Sequence, residues 1–118
     1  NNIKLLGFIS YQDVFSFIKF SKAVINPSLF EGWSTTVEEC KSLGKKMILS
    51  NLNVHQEQQP PKSAYFDPNN AEELADKIEN FWLNTSIAID SKLEDEARES
   101  IKPRSIEFAE IFLNIVNE

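Results

Sequence analysis

The stretch from Asn26 to Glu39 reads Asn-Pro-Ser-Leu-Phe-Glu-Gly-Trp-Ser-Thr-Thr-Val-Glu-Glu, and it holds the residue types best suited to chemistry. Pro27 stops an apolar strand, Gly32 turns the chain, and Ser34, Thr35 and Thr36 are all good N-cap types for a following helix. Free N–H groups at a helix start, with the positive end of its dipole, offer a place for an anion or a hydroxylated ligand. Glu31 lies just ahead of that helix and can accept hydrogen bonds from hydroxyls there. Glu39 lies about one turn in and can point towards the same mouth. Plainer readings stay open beside these. Glu38 follows Thr35 by three positions and Glu39 follows Thr36 by three, so either pair fits an ordinary capping box. Glu31 alone would be a solvated loop carboxylate, and Trp33 a packing residue at a loop-to-helix junction.

The elements that would position this segment follow from patterning. Ile3 to Gly7 (IKLLG) reads as a short buried strand ended by glycine. Val14, Phe15, Phe17, Ile18 and Phe20 give Gln12 to Phe20 a helical spacing. Lys22 to Asn26 is a second strand, and a helix from about Ser34 to Leu43 is closed by Gly44. Lys46 to Ser50 is a third strand, followed by a polar loop to Ser63. Ala64 to Phe66 is a fourth strand, ended by Asp67-Pro68. Asn70 to Leu83 is an amphipathic helix with Leu74, Ile78, Phe81 and Trp82 on one face. A further helix is expected from Ile89 to Ser100, and Pro103 opens a last one through Ile115.

This alternation predicts an α/β fold, a Rossmann-like three-layer arrangement around a mostly parallel sheet. Its strands are short and apolar, as strands buried on both faces are. Ligands of such sheets bind beyond the carboxyl ends of the strands, so the loops after Asn26, Ser50 and Phe66 lie on the functional edge.

Composition narrows the function classes. The 118 residues are 42% hydrophobic and 25% charged, with nine Phe and two Trp, enough for one domain whose burial leans on aromatic side chains. The formal charge of −6 disfavours a nucleic-acid partner, because the basic residues gather only as Lys41 with Lys45 and Lys46, and Lys102 with Arg104. A single cysteine, Cys40, excludes an internal disulfide and an all-cysteine metal site and points to a reducing compartment. No apolar run approaches the ~20 residues of a membrane span. The opening Asn1-Asn2-Ile3-Lys4 lacks an initiator Met and suggests a cut through a longer protein.

The Pro-Ser at a strand end, the Glu31-Gly32 turn and a second glutamate at Glu39 resemble the motif of retaining family-4 glycosyltransferases with the GT-B fold. Cys40 to Ser50 is similar to that family's small-residue helix, glycine turn and next strand. Tyr65-Phe66-Asp67-Pro68-Asn69-Asn70 with Glu73-Leu74-Ala75 resembles its last strand and following helix, and Leu5-Leu6-Gly7 before Tyr11 its preceding strand. The likeness spans roughly residues 3 to 84. It implies that residues 1–118 are part of a nucleotide-sugar-binding C-terminal domain, with 101–118 as its C-terminal helix. It implies a hexosyltransferase-type enzyme in surface-polysaccharide or glycoconjugate synthesis, acting with retention and without a metal or other cofactor. By the same resemblance Glu31 would act at the reacting carbon and contact donor-sugar hydroxyls, and Glu39 would bind the ribose diol. Gly32, Trp33, Ser34, Thr35 and Thr36 would line the sugar and diphosphate. Ser34, Thr35 and Thr36 depart from the Gly, Leu-like residue and Pro that are frequent there. His55-Gln56-Glu57-Gln58 is similar to a His-x-Glu-Gln segment of one subgroup; His55 itself reads as structural or solvated, with no catalytic role.

The resemblance also implies partners. A nucleotide-sugar donor is expected, together with an absent N-terminal acceptor domain and absent first strands, so the chain alone should not turn over. The edge of Lys22–Asn26 would then lack a neighbour, which invites a homodimer or a strand or helix swap. The last helix, with Phe108, Ile111, Phe112 and Ile115 on one face, would pack back across the molecule. A cytoplasmic location is expected, any membrane attachment being peripheral and through the absent domain. The competing reading is a non-catalytic Rossmann-like or flavodoxin-like binding module. A receiver would need an acidic cluster and an Asp at strand ends, where only Asp67 qualifies. A flavin module would need a hydroxyl- and glycine-rich first loop, for which Phe8-Ile9-Ser10 is a poor candidate.

Overall fold

In the computed structural model, residues 2–85 and 91–117 are described. Helix α1 (Tyr11–Phe20) leads into strand β1 (Val24–Asn26), helix α2 (Thr35–Ser42) and strand β2 (Met47–Ser50). Helix α3 (Asn53–Gln58), strand β3 (Ala64–Phe66), helix α4 (Ala71–Asn84) and helix α5 (Ser91–Val116) follow. The strands form one parallel sheet in the order β1-β2-β3, so the fold is α/β, a partial Rossmann-like domain.

The central strand organises everything else. All four residues of β2 are buried, because β2 has a strand on each side and helices on both faces. Val24 pairs with Met47 and Asn26 with Leu49 on one side, while Ile48 pairs with Ala64 and Ser50 with Phe66 on the other. Met47 and Leu49 join Ile18, Val37 and Cys40 in the core, with Val14, Val24, Leu43 and Tyr65 packed around it. Strand β1 departs from the expectation of burial on both faces: Ile25 is 42% exposed, since β1 has only β2 beside it among the described residues.

Helix ends are set by local chemistry. Asn70 caps α4 through its side chain, accepting from the Glu73 amide at 3.0 Å. Gly44 ends α2 with φ +64°, a left-handed value that glycine reaches without strain. A Cβ at that position would lie 2.8 Å from the Glu94 amide nitrogen and closer still to the Leu93 carbonyl. Glycine is therefore what lets α5 lie against the end of α2. Lys45 then closes α1, its Nζ donating to the Lys19 and Ser21 carbonyls at 2.8 and 2.7 Å. Burial pushes the Lys45 ammonium below its usual range.

Four expectations are corrected here. Ile3–Gly7 forms no strand; Leu5 and Phe8 are almost fully exposed, because an apolar segment becomes a strand only with a partner ladder and this sheet takes up none. The polar loop after Ser50 contains α3. The two C-terminal helices are one, with Pro103 inside α5; Ile89 lies outside the described residues. Phe108, Ile111, Phe112 and Ile115 do not pack back but are 53–72% exposed, since α5 is buried through Leu93 and Ala97 near its start.

Candidate functional site

The loop between β1 and α2 is organised by one side chain at the strand end. Asn26 Nδ2 donates to Glu31 Oε1 and to Ser34 Oγ, both at 3.3 Å. Ser28 Oγ lies 2.7 Å from both Asn26 Oδ1 and Glu31 Oε1, so its single proton can serve either. These donors, Ser28 first and then Asn26, hold the Glu31 carboxyl below the ordinary carboxylate range, outweighing the upward push of burial; the nearby His55 ring adds a further downward pull. Glu31 is thus a fixed anion at the mouth of α2 and not a free loop carboxylate.

The start of α2 remains open. Ser34 is the N-cap residue, buried, with φ −78° and ψ 106°, and its side chain makes no cap bond. Glu38 and Glu39 do not close a capping box either. Glu38 is turned towards α5, meeting Arg104 at 2.6 Å, Lys41 at 3.3 Å and Gln58 at 3.0 Å. Glu39 accepts the Tyr11 hydroxyl at 2.8 Å. Backbone donors at the start of a helix that no side chain serves are available to a ligand.

Helix α3 supports this loop from beneath. Gln58 is buried and donates to the Ser34 carbonyl at 2.9 Å as well as to Glu38. His55 is fully buried, its Nδ1 2.8 Å from the Ser50 carbonyl. A carbonyl only accepts, so Nδ1 carries a proton in this contact. Neither His55 Nε2 nor Gln58 Oε1 has a partner within the described residues.

Each residue singled out in the sequence has a definite place. Glu31, Gly32 and Trp33 line a cleft of about 610 Å³ with Asn51, Leu52 and Glu57, bringing together the loops after β1 and β2. Trp33 and Glu57 also face a second groove of about 950 Å³ against Arg104 and Phe108 of α5. Ser34 is the buried N-cap residue of α2, and Thr35 and Thr36 are the first two residues of that helix. Glu39 has a different set of neighbours from Glu31, with Tyr11 and not the Asn26 cluster beside it. Cys40 is buried in the core, where desolvation, reinforced by Glu39, pushes its thiol up to about 12; it is a packing residue.

Sequence reasoning missed Asn26, Gln58 and Tyr11 as parts of the site. Asn26 carried a legible signal, an amide side chain at the end of an apolar strand just before Pro27. Gln58 and Tyr11 reach partners 20 to 28 residues away, and spacing alone does not signal such contacts. Among the described residues no three His, Cys, Asp or Glu side chains cluster as a metal would need. No described helix is long and apolar enough to cross a membrane.

Comparison with known proteins gives one match. The family described as "Glycosyl transferases group 1" matches residues 1–102, which is most of the chain. No curated protein matches, and no solved structure does.

Proposed function

The chain belongs to the group 1 glycosyltransferase family, and on that premise we infer that it carries the donor side of a sugar-transfer site. The observation that carries this reading is the uncapped start of α2 with Glu31 held beside it as an anion. In this reading the amides from Trp33 to Thr36 receive the diphosphate, where the helix dipole favours negative charge. Glu31 accepts hydroxyls of the donor sugar near the reacting carbon, and Glu39 accepts the ribose diol.

The chemistry needed from these groups is positioning and charge stabilisation. The bond between the anomeric carbon and the diphosphate oxygen breaks, the leaving diphosphate takes the electron pair, and the acceptor hydroxyl's oxygen bonds to the same face of the sugar as its proton passes to the departing diphosphate. Pre-oriented donors at the departing oxygen lower that barrier without reorganising. Hexosyl transfer with retention, independence of a metal, and a role in polysaccharide or glycoconjugate synthesis belong to the same proposal. So do an acceptor domain outside this chain, the lack of turnover by this chain alone, and association of two copies through the edge of β1.

The test is a panel of UDP, GDP, ADP and their sugars, followed by ligand-observed NMR on the wild-type chain and on Glu39→Ala. One nucleotide is expected to bind selectively, with a loss of about tenfold or more in the variant. Equal binding of that nucleotide by the variant would remove Glu39 from the site. The alternative, a binding module with no transferase role, would show affinity for nucleotides without any dependence on the attached sugar or on Glu31.

A further inference from the structure

The three carboxylates of this segment are held in different ways. Glu31 is bound locally by Ser28 and Asn26. Glu38 is taken up by Arg104, Lys41 and Gln58. Glu39 is met by a neutral donor from a different helix: the Tyr11 hydroxyl reaches its Oε1 at 2.8 Å across 28 residues of chain.

Tyr11 is itself firmly placed. It is the first residue of α1, directly after the Ser10 cap, which accepts the Asp13 amide at 3.2 Å. Its ring stands edge-on to Phe15, one turn further on, with centroids 4.8 Å apart and planes at 65°. A tyrosine side chain has two principal torsions, so a ring braced by Phe15 leaves the hydroxyl little freedom of direction. Yet Tyr11 is 65% exposed, and core packing is not what occupies it. Its hydroxyl is instead taken up by the Glu39 carboxylate.

We propose that Tyr11 is a positioning residue for the nucleotide, fastening Glu39 Oε1 so that the carboxylate is already oriented for the ribose hydroxyls. The proposal rests on the reading of Glu39 as the ribose contact. An ionised carboxylate accepts about four hydrogen bonds, so one phenol leaves room for both hydroxyls of a diol. A glutamate free to rotate must be frozen when the ligand arrives, and that lost freedom weakens binding. With the phenol in place the ordering happens on folding instead. The hydrogen bond to Glu39 also raises the Tyr11 phenol above its usual value, so the donor keeps its proton.

The experiment compares ribonucleotides with their 2′,3′-dideoxy counterparts, which keep neither hydroxyl for Glu39, using UDP, GDP and ADP against ddUDP, ddGDP and ddADP on the intact chain. The wild type is expected to prefer the ribose form by about tenfold, as sites that bond a hydroxyl do. In Tyr11→Phe, which keeps the ring against Phe15, the preference should fall to about two- or threefold, with affinity for the dideoxy form unchanged. In Glu39→Ala the preference should vanish. If Tyr11→Phe keeps the full preference while Glu39→Ala loses it, the Tyr11 proposal falls and the ribose reading stands. If Tyr11→Phe weakens both series equally, its role is structural and the proposal likewise falls alone. A wild-type chain that binds neither series, or binds both alike, overturns the ribose reading and the proposal together.

Discussion

At the start of α1, Ser10 Oγ accepts the Asp13 amide at 3.2 Å and lies 2.7 Å from the Asp13 carboxylate. At the start of α2, Ser34 has an extended backbone of the same class, φ −78° and ψ 106° against −67° and 154°, but makes no cap bond. The residue type is the same and the backbone permits a cap in both places. The difference lies in the surroundings. Ser10 is exposed and has only its own helix to serve, whereas Ser34 is buried, with its Oγ accepting from Asn26 and its carbonyl from Gln58. A helix start is worth closing where it contributes only stability. Where tertiary contacts draw the capping hydroxyl aside, the start is left without a side-chain cap.

That contrast holds only if α2 is anchored everywhere except at its start, and the largest expected effect tests the anchor. Gly44→Ala should cost about 3 kcal/mol or more, since the new methyl meets the α5 backbone and the left-handed φ disfavours it. Urea unfolding measures this, and wild-type stability in the variant would show that α5 does not bear on the end of α2. The second test is the pair of serines. Ser10→Ala should lose about 1 kcal/mol, the usual worth of a cap, whatever stands at position 26. Ser34→Ala should also lose about 1 kcal/mol, here the buried hydrogen bond from Asn26, and that loss should disappear in an Asn26→Ala background. A loss at Ser34 that Asn26→Ala leaves untouched would erase the distinction between the two helix starts.

The smallest effect concerns Glu31. Its carboxyl is lowered in the folded chain by Ser28 and Asn26, so its contribution is present above the ordinary value of 4.5 and is lost as pH falls through the lower folded value. The stability gap between wild type and Glu31→Gln should be flat from about pH 6 to 8 and narrow below about pH 4.5. A gap that persists unchanged into strong acid would mean that the anion is not what Ser28 and Asn26 hold.

The sequence revealed the sheet where burial was local and failed where pairing was distant. Met47–Ser50 and Ala64–Phe66 were legible because short apolar runs between turn residues have few other uses. Ile3–Gly7 has the same composition and forms no strand, because a strand also needs a neighbour that composition does not supply. Helix α3 was hidden for the opposite reason. It is six residues long, follows a leucine that cannot cap it, and buries a histidine and a glutamine where apolar residues would have marked it. Pro103 misled because proline so often opens a helix; here it sits within one, its missing N–H denying the Glu99 carbonyl a donor. Of the candidate site, the start of α2 was readable from the hydroxyl residues after the Gly32 turn, while Glu31 was singled out through the family resemblance. The partners that fix them, Asn26, Gln58 and Tyr11, depend on elements meeting in space.

The attachment of α5 has a mechanical consequence. The helix is fixed at Leu93 against Gly44 and again at Arg104 against Glu38, two points about 16 Å apart along its axis at 1.5 Å per residue. Beyond the second point it continues for about 18 Å to Val116. Such a helix is a lever with its fulcrum on α2: a tilt of about 10° at Glu38 would carry the far tip through about 3 Å. The two arms are nearly equal in length, so a shift of Leu93 against Gly44 would reach the apolar end of α5 at about its own size and in the opposite sense.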